Sequence, residues 1–205
     1  MSVDLVARPS SEPPLVAVGA SAGGPTALST LLKGLQPGFA GAVVMVQHLD
    51  DRFVAGLAEW LSQQSPLPLR LAQEGEMLRP GTAYLANGGG HLVLRSNARL
   101  GYVAEPADHP YRPSIDVFFE SVSEHWRGQA AGVLLTGMGA DGAKGLKALR
   151  SKDRLTIAQD RATSAVYGMP KAAAAAGAAC EILPLECIAA RLTRAFPLRS
   201  IGARP

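Results

Sequence analysis

Cysteine is all but missing from this 205-residue chain, which carries only Cys180 and Cys187. Two thiols without a set of His or carboxylate partners make neither a metal centre nor the disulfide framework of a small secreted domain, so both are expected as buried thiols. Charge is sparse as well: 18% of residues are charged, the net charge is +3, and no Lys/Arg block occurs. The basic residues are scattered, several near the end as Arg191, Arg194, Arg199 and Arg204. That pattern speaks against nucleic-acid binding and for a mild field that serves solubility. No apolar run approaches a membrane span, and the segment Met1 to Pro14 is polar and proline-rich, without the apolar core of a signal peptide. A cytoplasmic chain with no membrane insertion is the expectation.

What is abundant is apolar residues, at 47%, and glycine, at 22 residues. This composition excludes general disorder and suits one sheet-and-helix domain with many tight turns. Residues 1–14 read as a flexible lead or a linker stub, 15–198 as the folded domain and 199–205 as a tail. Leu15 to Gly19 is an apolar run stopped by glycine, followed by Pro25 and by Leu28, Leu31, Leu32 and Leu35 at helical spacing. Ala42 to Gln47, Ala130 to Leu135 and Leu155 to Ala158 are further buried strands. They lead into helices that begin near Phe53, Asp141 and Met169, and Leu185 to Phe196 is a terminal amphipathic helix. Strands apolar on both faces belong in parallel sheets. Between them, Leu69 to Leu71, Ala83 to Leu85, His91 to Leu94 and Leu100 to Val103 are short runs separated by turn residues, which predicts local hairpins. Ser114 to Trp126 reads as a helix capped by Ser114. The fold class is therefore α/β: a doubly wound, mostly parallel sheet with an antiparallel hairpin insertion.

The sharpest chemical signal is Gly19-Ala20-Ser21-Ala22-Gly23-Gly24, a G-x-S-x-G turn between a buried strand and a helix. Small flanking residues allow a tight turn that lifts the hydroxyl clear of the backbone, and the helix N-terminus beyond it offers free N–H groups. A phosphate-binding glycine turn has a similar outline. Here Pro25 occupies the place of a third glycine, no G-K-[ST] follows, and no acid ends the second strand. Tyr167 and Lys171 have the Y-x-x-x-K spacing of a dehydrogenase pair, but Pro170 stands between them and the glycine turn is wrong for that cofactor.

His48 follows the second apolar strand directly and so reaches the same carboxyl edge as Ser21, where open α/β sheets place their sites. His91 lies in the hairpin region and His125 late in a helix, while His109 stays open as a loop residue. For the orienting carboxylate, Asp141 in Thr136-Gly137-Met138-Gly139-Ala140-Asp141-Gly142 is preferred, and its structural reading is the N-cap of the helix that follows it. Asp160, after the next strand, competes, whereas Asp50, Asp51 and Asp116 read as helix caps.

Five segments then carry a family resemblance: VAVGASAGG (16–24), Val46-Gln47-His48, Arg112-Pro113-Ser114-Ile115-Asp116, LTGMGADG (135–142) and AQDRATSAVYGMP (158–170). In this order they resemble the catalytic domain of the CheB methylesterases, over about Leu15 to Phe196. The resemblance implies a protein-glutamate methylesterase, with glutamine deamidation in many members. It implies Ser21 as nucleophile, His48 as general base and Asp141 as orienting acid, and no metal or organic cofactor. Ala22 and Met138, with Gly139 and Arg112 nearby, are the candidate oxyanion and substrate contacts. The implied partners are the methylation helices of chemotaxis receptors and a receiver domain, joined in cis or acting in trans. Two departures stand out: Ala22 replaces a common threonine, and Leu49-Asp50-Asp51 replaces a Met-Pro after the histidine. A non-catalytic module binding receptors or signalling complexes, and a triad esterase or amidase for another substrate, are the alternatives.

Overall fold

The computed structural model describes residues 12–197; most of the expected lead (1–14) and all of the expected tail (199–205) lie outside the described residues. The chain runs β1 (Leu15–Ala20), α1 (Gly24–Gly34), β2 (Ala42–Gln47), α2 (Asp51–Gln64), β3 (Leu69–Leu71), β4 (Ala83–Leu85), β5 (His91–Leu94), β6 (Leu100–Val103) and α3 (Ile115–His125). It continues with β7 (Ala130–Leu134), α4 (Ala143–Arg150), β8 (Leu155–Gln159), α5 (Met169–Ala175), β9 (Glu181–Leu183) and α6 (Leu185–Ala195). Seven strands form one sheet in the order β3-β4-β2-β1-β7-β8-β9, and every pair in it is parallel.

Alternate residues of β1 feed two apolar layers. Val16 and Val18 pack with Leu28, Leu31 and Leu32 of α1 and with Ile188 and Leu192 of α6. Leu15 and Ala17 pack with Phe118, Phe119 and Val122 of α3 and with Leu146 and Leu149 of α4. A strand coated on both faces must be apolar throughout, which is why β1 and β2 lack the in–out alternation of a half-exposed strand. Each of these large buried side chains contributes on the order of 1.5–3 kcal/mol through water exclusion.

Helix starts are set by local chemistry. Pro25 lies in the first turn of α1, where a missing N–H costs nothing. Asp50 caps α2 by accepting from the N–H of Arg52, and Ser114 caps α3 by accepting from that of Val117.

Two expectations are corrected. Of the four short middle strands only β5 and β6 form an antiparallel hairpin; β3 and β4 join the main sheet in parallel. The reason is burial: Ala83, Tyr84 and Leu85 are enclosed on both faces, a position available inside the sheet and not in an isolated ribbon. The cysteines are exposed. On α6 the buried stripe runs through Leu185, Ile188, Ala189 and Leu192, and Cys187 falls off it. β9 is an additional edge strand that short, mixed residues (Glu181, Ile182, Leu183) do not announce.

Connections leave β1 toward β2 and leave β7 toward β8, on opposite sides, so the strand order reverses between β1 and β7. Open α/β sheets place their sites beyond the strand ends at such a reversal. The start of α3 packs on β1 so closely that a methyl group on Gly19 would overlap Ile115 Cγ2. Gly19→Ala is therefore expected to lower unfolding free energy by about 1–3 kcal/mol through overpacking, read from the denaturation midpoint at unchanged slope.

Candidate active site

The sheet register brings Ser21 and His48 together. Ala20 and Gln47 are partners across β1 and β2, so Ser21 and His48 are the first residues past the same rung of adjacent parallel strands. The His48 N–H donates to the Ala20 carbonyl (3.0 Å), and the Ser21 N–H donates to the Thr136 carbonyl beyond β7 (3.0 Å). Ser21 is thereby flanked by His48 on one side and by the Thr136–Gly142 turn on the other.

A side chain that the sequence reading passed over braces this arrangement. Gln47 is buried, and its Nε2 donates to the carbonyls of Ser21 (2.9 Å) and His48 (2.9 Å). Its Oε1 lies where a Cβ on residue 24 would be, so glycine at 24 makes room for it. Gln159 does similar work at the end of β8: its Oε1 accepts from the Thr136 N–H (2.8 Å) and its Nε2 donates to the Thr163 carbonyl (2.8 Å). The signal for both was the polar residue ending an otherwise apolar strand.

Asp141 lies 93 residues from His48, yet His48 Nε2 donates to its Oδ2 at 2.7 Å. Their side chains are 9% and 2% exposed, so this hydrogen bond is screened from water. Asp141 does not cap its own helix; Gly142 takes that place in α4. It reaches instead to the N-terminus of α3, accepting from the N–H groups of Ile115 (2.7 Å) and Asp116 (3.0 Å) and from the Ser114 hydroxyl (2.9 Å). Asp116 returns the favour, accepting from the N–H of Gly145 in α4 (2.7 Å). The two helix starts are thus cross-capped by each other's carboxylates.

These contacts set the charge state. Burial, the largest influence, pushes the Asp141 carboxyl up. The hydrogen bond from His48 and the N–H groups of Ile115 and Asp116 outweigh it and hold the group at about 2. An ionised carboxylate only accepts, so Nε2 carries a hydrogen toward Asp141, which leaves Nδ1 as the lone-pair nitrogen whenever the ring is neutral. Nδ1 is buried and without a partner among the described residues. Asp116 is pushed the other way, to about 6, chiefly by burial, with the Asp141 charge adding to it.

The other candidates are accounted for. Asp160 folds its carboxylate back on the N–H and hydroxyl of Thr163 (2.9 and 2.6 Å), a local turn. His91 is buried beneath the loop before α3, and His109 lies in that loop beside Tyr111. His125 ends α3. Within the described residues no hydrogen bond is made by the N–H of Ala22 or Met138, although the Ala22 carbonyl accepts from the Thr136 hydroxyl (2.9 Å). The Met138 side chain is 68% exposed, and Gly139 next to it adopts a left-handed conformation (φ 87°). Arg112 is exposed and donates to the Ala104 carbonyl, tying together the ends of its loop. Among the described residues, no group of three or more His, Cys, Asp or Glu is placed to hold a metal ion, and no helix is long and apolar enough to cross a membrane.

A parallel α/β domain with serine, histidine and a buried aspartate gathered at its topological switch point belongs by architecture among the open-sheet α/β domains. The chain belongs to the CheB methylesterase family, whose sequence pattern it matches over residues 16–192. It is 60% identical over 196 residues to protein-glutamate methylesterase/protein-glutamine glutaminase 3 of Pseudomonas savastanoi pv. phaseolicola, covering 94% of this chain and 58% of that protein. It is 64% identical over 180 residues to a second such protein, from Cupriavidus metallidurans, covering 88% of this chain and 53% of that one. The chain spans little more than half the length of these relatives. Its fold superimposes on the crystal structure of the Thermotoga maritima CheB methylesterase catalytic domain with a TM-score of 0.84 at 32% identity, covering 90% of this chain and 99% of that one.

The depressed Asp141 value has a checkable consequence for stability. A carboxyl whose value falls from 3.8 to about 2 on folding stabilises the fold fully above pH 3.8, and that contribution is lost as pH falls through 2. The difference in unfolding free energy between wild type and Asp141→Asn should therefore narrow on titration from pH 5 to pH 2; a difference constant over that range contradicts the assignment.

Proposed function

We propose that this chain is a serine hydrolase that removes methyl esters from glutamate side chains of chemotaxis receptors, with Ser21 as nucleophile, His48 as general base and Asp141 as orienting acid. What supports the triad most directly is the His48–Asp141 hydrogen bond at 2.7 Å, beside the strand rung that Ser21 shares with His48. The substrate class is supported by the names of the relatives, which are protein-glutamate methylesterases.

The Ser21 Oγ attacks the ester carbonyl while His48 Nδ1 takes its proton, and Asp141 stabilises the resulting imidazolium through Nε2–H. Methanol leaves with the proton returned from Nδ1. Water, deprotonated at the same nitrogen, then attacks the glutamyl ester of Ser21; the Ser21 Oγ leaves with the proton returned from Nδ1, and the free carboxylate is released. The unbonded N–H groups of Ala22 and Met138 stand in the two turns that flank Ser21 and are the donors proposed for the developing oxyanion. Because the donor at residue 22 belongs to the backbone, alanine there supplies it as well as threonine.

Met138, exposed in the turn that flanks Ser21, and Arg112, exposed in the loop before α3, are the contacts proposed for a helix carrying both apolar and acidic residues. The names of the relatives add glutamine deamidation, which the same acyl transfer performs with ammonia as leaving group. A receiver domain is the proposed regulator, since the relatives are nearly twice as long as the matched region. No step above calls on a metal or organic cofactor.

Incubation with methyl-labelled receptor tests the reading. Ser21→Ala is expected to cut methanol release by about 10³-fold or more, and Asp141→Asn by about 10²–10⁴-fold. Release that survives in the alanine variant rejects Ser21 as nucleophile, whereas a wild type that binds receptor without release favours a non-catalytic module.

A further inference from the structure

The proposed base is held at one nitrogen only. Asp141 fixes Nε2, but χ2 of histidine is a broad, soft torsion, and one hydrogen bond at the ring's edge does not prevent the imidazole from tilting about it. Something else must keep Nδ1 in place. The Tyr111 ring lies flat on the imidazole, with centroids 4.2 Å apart and planes 4° apart. Tyr111 is half-buried, and with it in place the His48 side chain is only 9% exposed.

The loop that carries Tyr111 is itself seated. His109 Nδ1 lies 3.0 Å from the Tyr111 carbonyl and 3.2 Å from its N–H, so either tautomer ties the ring to the Tyr111 backbone. His91 stands edge-on to His109 with centroids 5.7 Å apart. Fully buried at the start of β5, it accepts the Ser114 N–H at Nδ1 (3.0 Å) and donates from Nε2 to the Pro106 carbonyl (3.1 Å). Four rings therefore run from the hairpin to the base: His91, His109, Tyr111 and His48. The antiparallel insertion has a purpose in this arrangement, as the footing of the loop that covers His48.

We infer that Tyr111 is a positioning residue for His48: its ring, stacked on the imidazole, keeps the imidazole from tilting about its bond to Asp141, so that Nδ1 stays available to Ser21, and meets the charge of the imidazolium with a π face. The inference rests on the triad reading above. The π face is attractive to a cation when water is kept away, and a parallel aromatic contact resists tilting of the ring it covers. Both effects belong to the ring and not to the hydroxyl, which stands over Gly139.

Tyr111→Phe keeps the ring; Tyr111→Leu keeps apolar bulk and removes the π face. With a fluorophosphonate probe that labels Ser21, and with a small activated ester as substrate, the phenylalanine variant is expected to stay within about twofold of wild type. The leucine variant is expected to label and turn over about five- to tenfold more slowly, with KM unchanged. Rates are compared at a temperature where melting curves show both variants folded. In proton NMR spectra the His48 ring protons should be shifted upfield by the stacked ring in wild type and Tyr111→Phe, and not in Tyr111→Leu, a signature that does not depend on turnover. An undiminished rate in Tyr111→Leu, an equal loss in Tyr111→Phe, or the absence of the upfield shift in wild type overturns the inference. Ser21→Ala run alongside separates the two readings: if it still turns the ester over, the triad itself is wrong, whereas a leucine variant at full rate removes only Tyr111.

Discussion

The Asp141 carboxylate is the point on which the site depends. It is almost wholly buried, and a buried charge is tolerated only when its hydrogen-bonding capacity is filled. Four donors fill it: two N–H groups and a hydroxyl from the start of α3, and Nε2–H of His48. The partial positive charge of a helix N-terminus favours an anion there. One group thus closes the end of α3, fixes the tautomer of His48 and stays ionised. Through Asp116 and Gly145 the start of α4 is bound to the start of α3 in return, so the carboxylate cannot shift without disturbing the packing of two helices.

Around that anchor the sheet does the rest. Parallel strands deliver their carboxyl ends to a common edge, and buried amides at those ends convert the edge into a shaped site. Gln47 ties together the carbonyls of Ser21 and His48, and Gln159 holds the turn that flanks Ser21 from the other side. Among the described residues the N–H groups of Ala22 and Met138 are left without an acceptor in the two turns beside these braces.

How much of this could be read in advance varied with the physics involved. Unbroken apolar runs such as Ala42 to Val46 announce buried parallel strands, and G-x-S-x-G announces the turn between β1 and α1, because both are local consequences of sequence. The parallel placement of β3 and β4 was not legible: a three-residue apolar run is compatible with a hairpin or a sheet, and only long-range burial of Tyr84 and Leu85 decides. Asp141 was singled out by its place after β7, but the helix start it meets was misread as that of its own helix. A side chain's acceptor capacity says nothing of which N-terminus it will meet. Tyr111 left no signal, since stacking across 63 positions in the chain has no periodicity and no motif.

The pairing of Ala20 with Gln47 has a wider meaning. The proposed nucleophile and base are spaced by a β-ladder, whose rungs are about 4.8 Å apart in any protein, and not by the loops that follow the strands. The reactive pair therefore inherits its separation from the most invariant ruler in protein architecture. Changes of the exposed side chains at Met138 and Arg112 can retune which polypeptide is admitted while that ruler, the Tyr111 ring and the backbone donors remain untouched, so chemistry and selectivity in this domain are free to diverge independently.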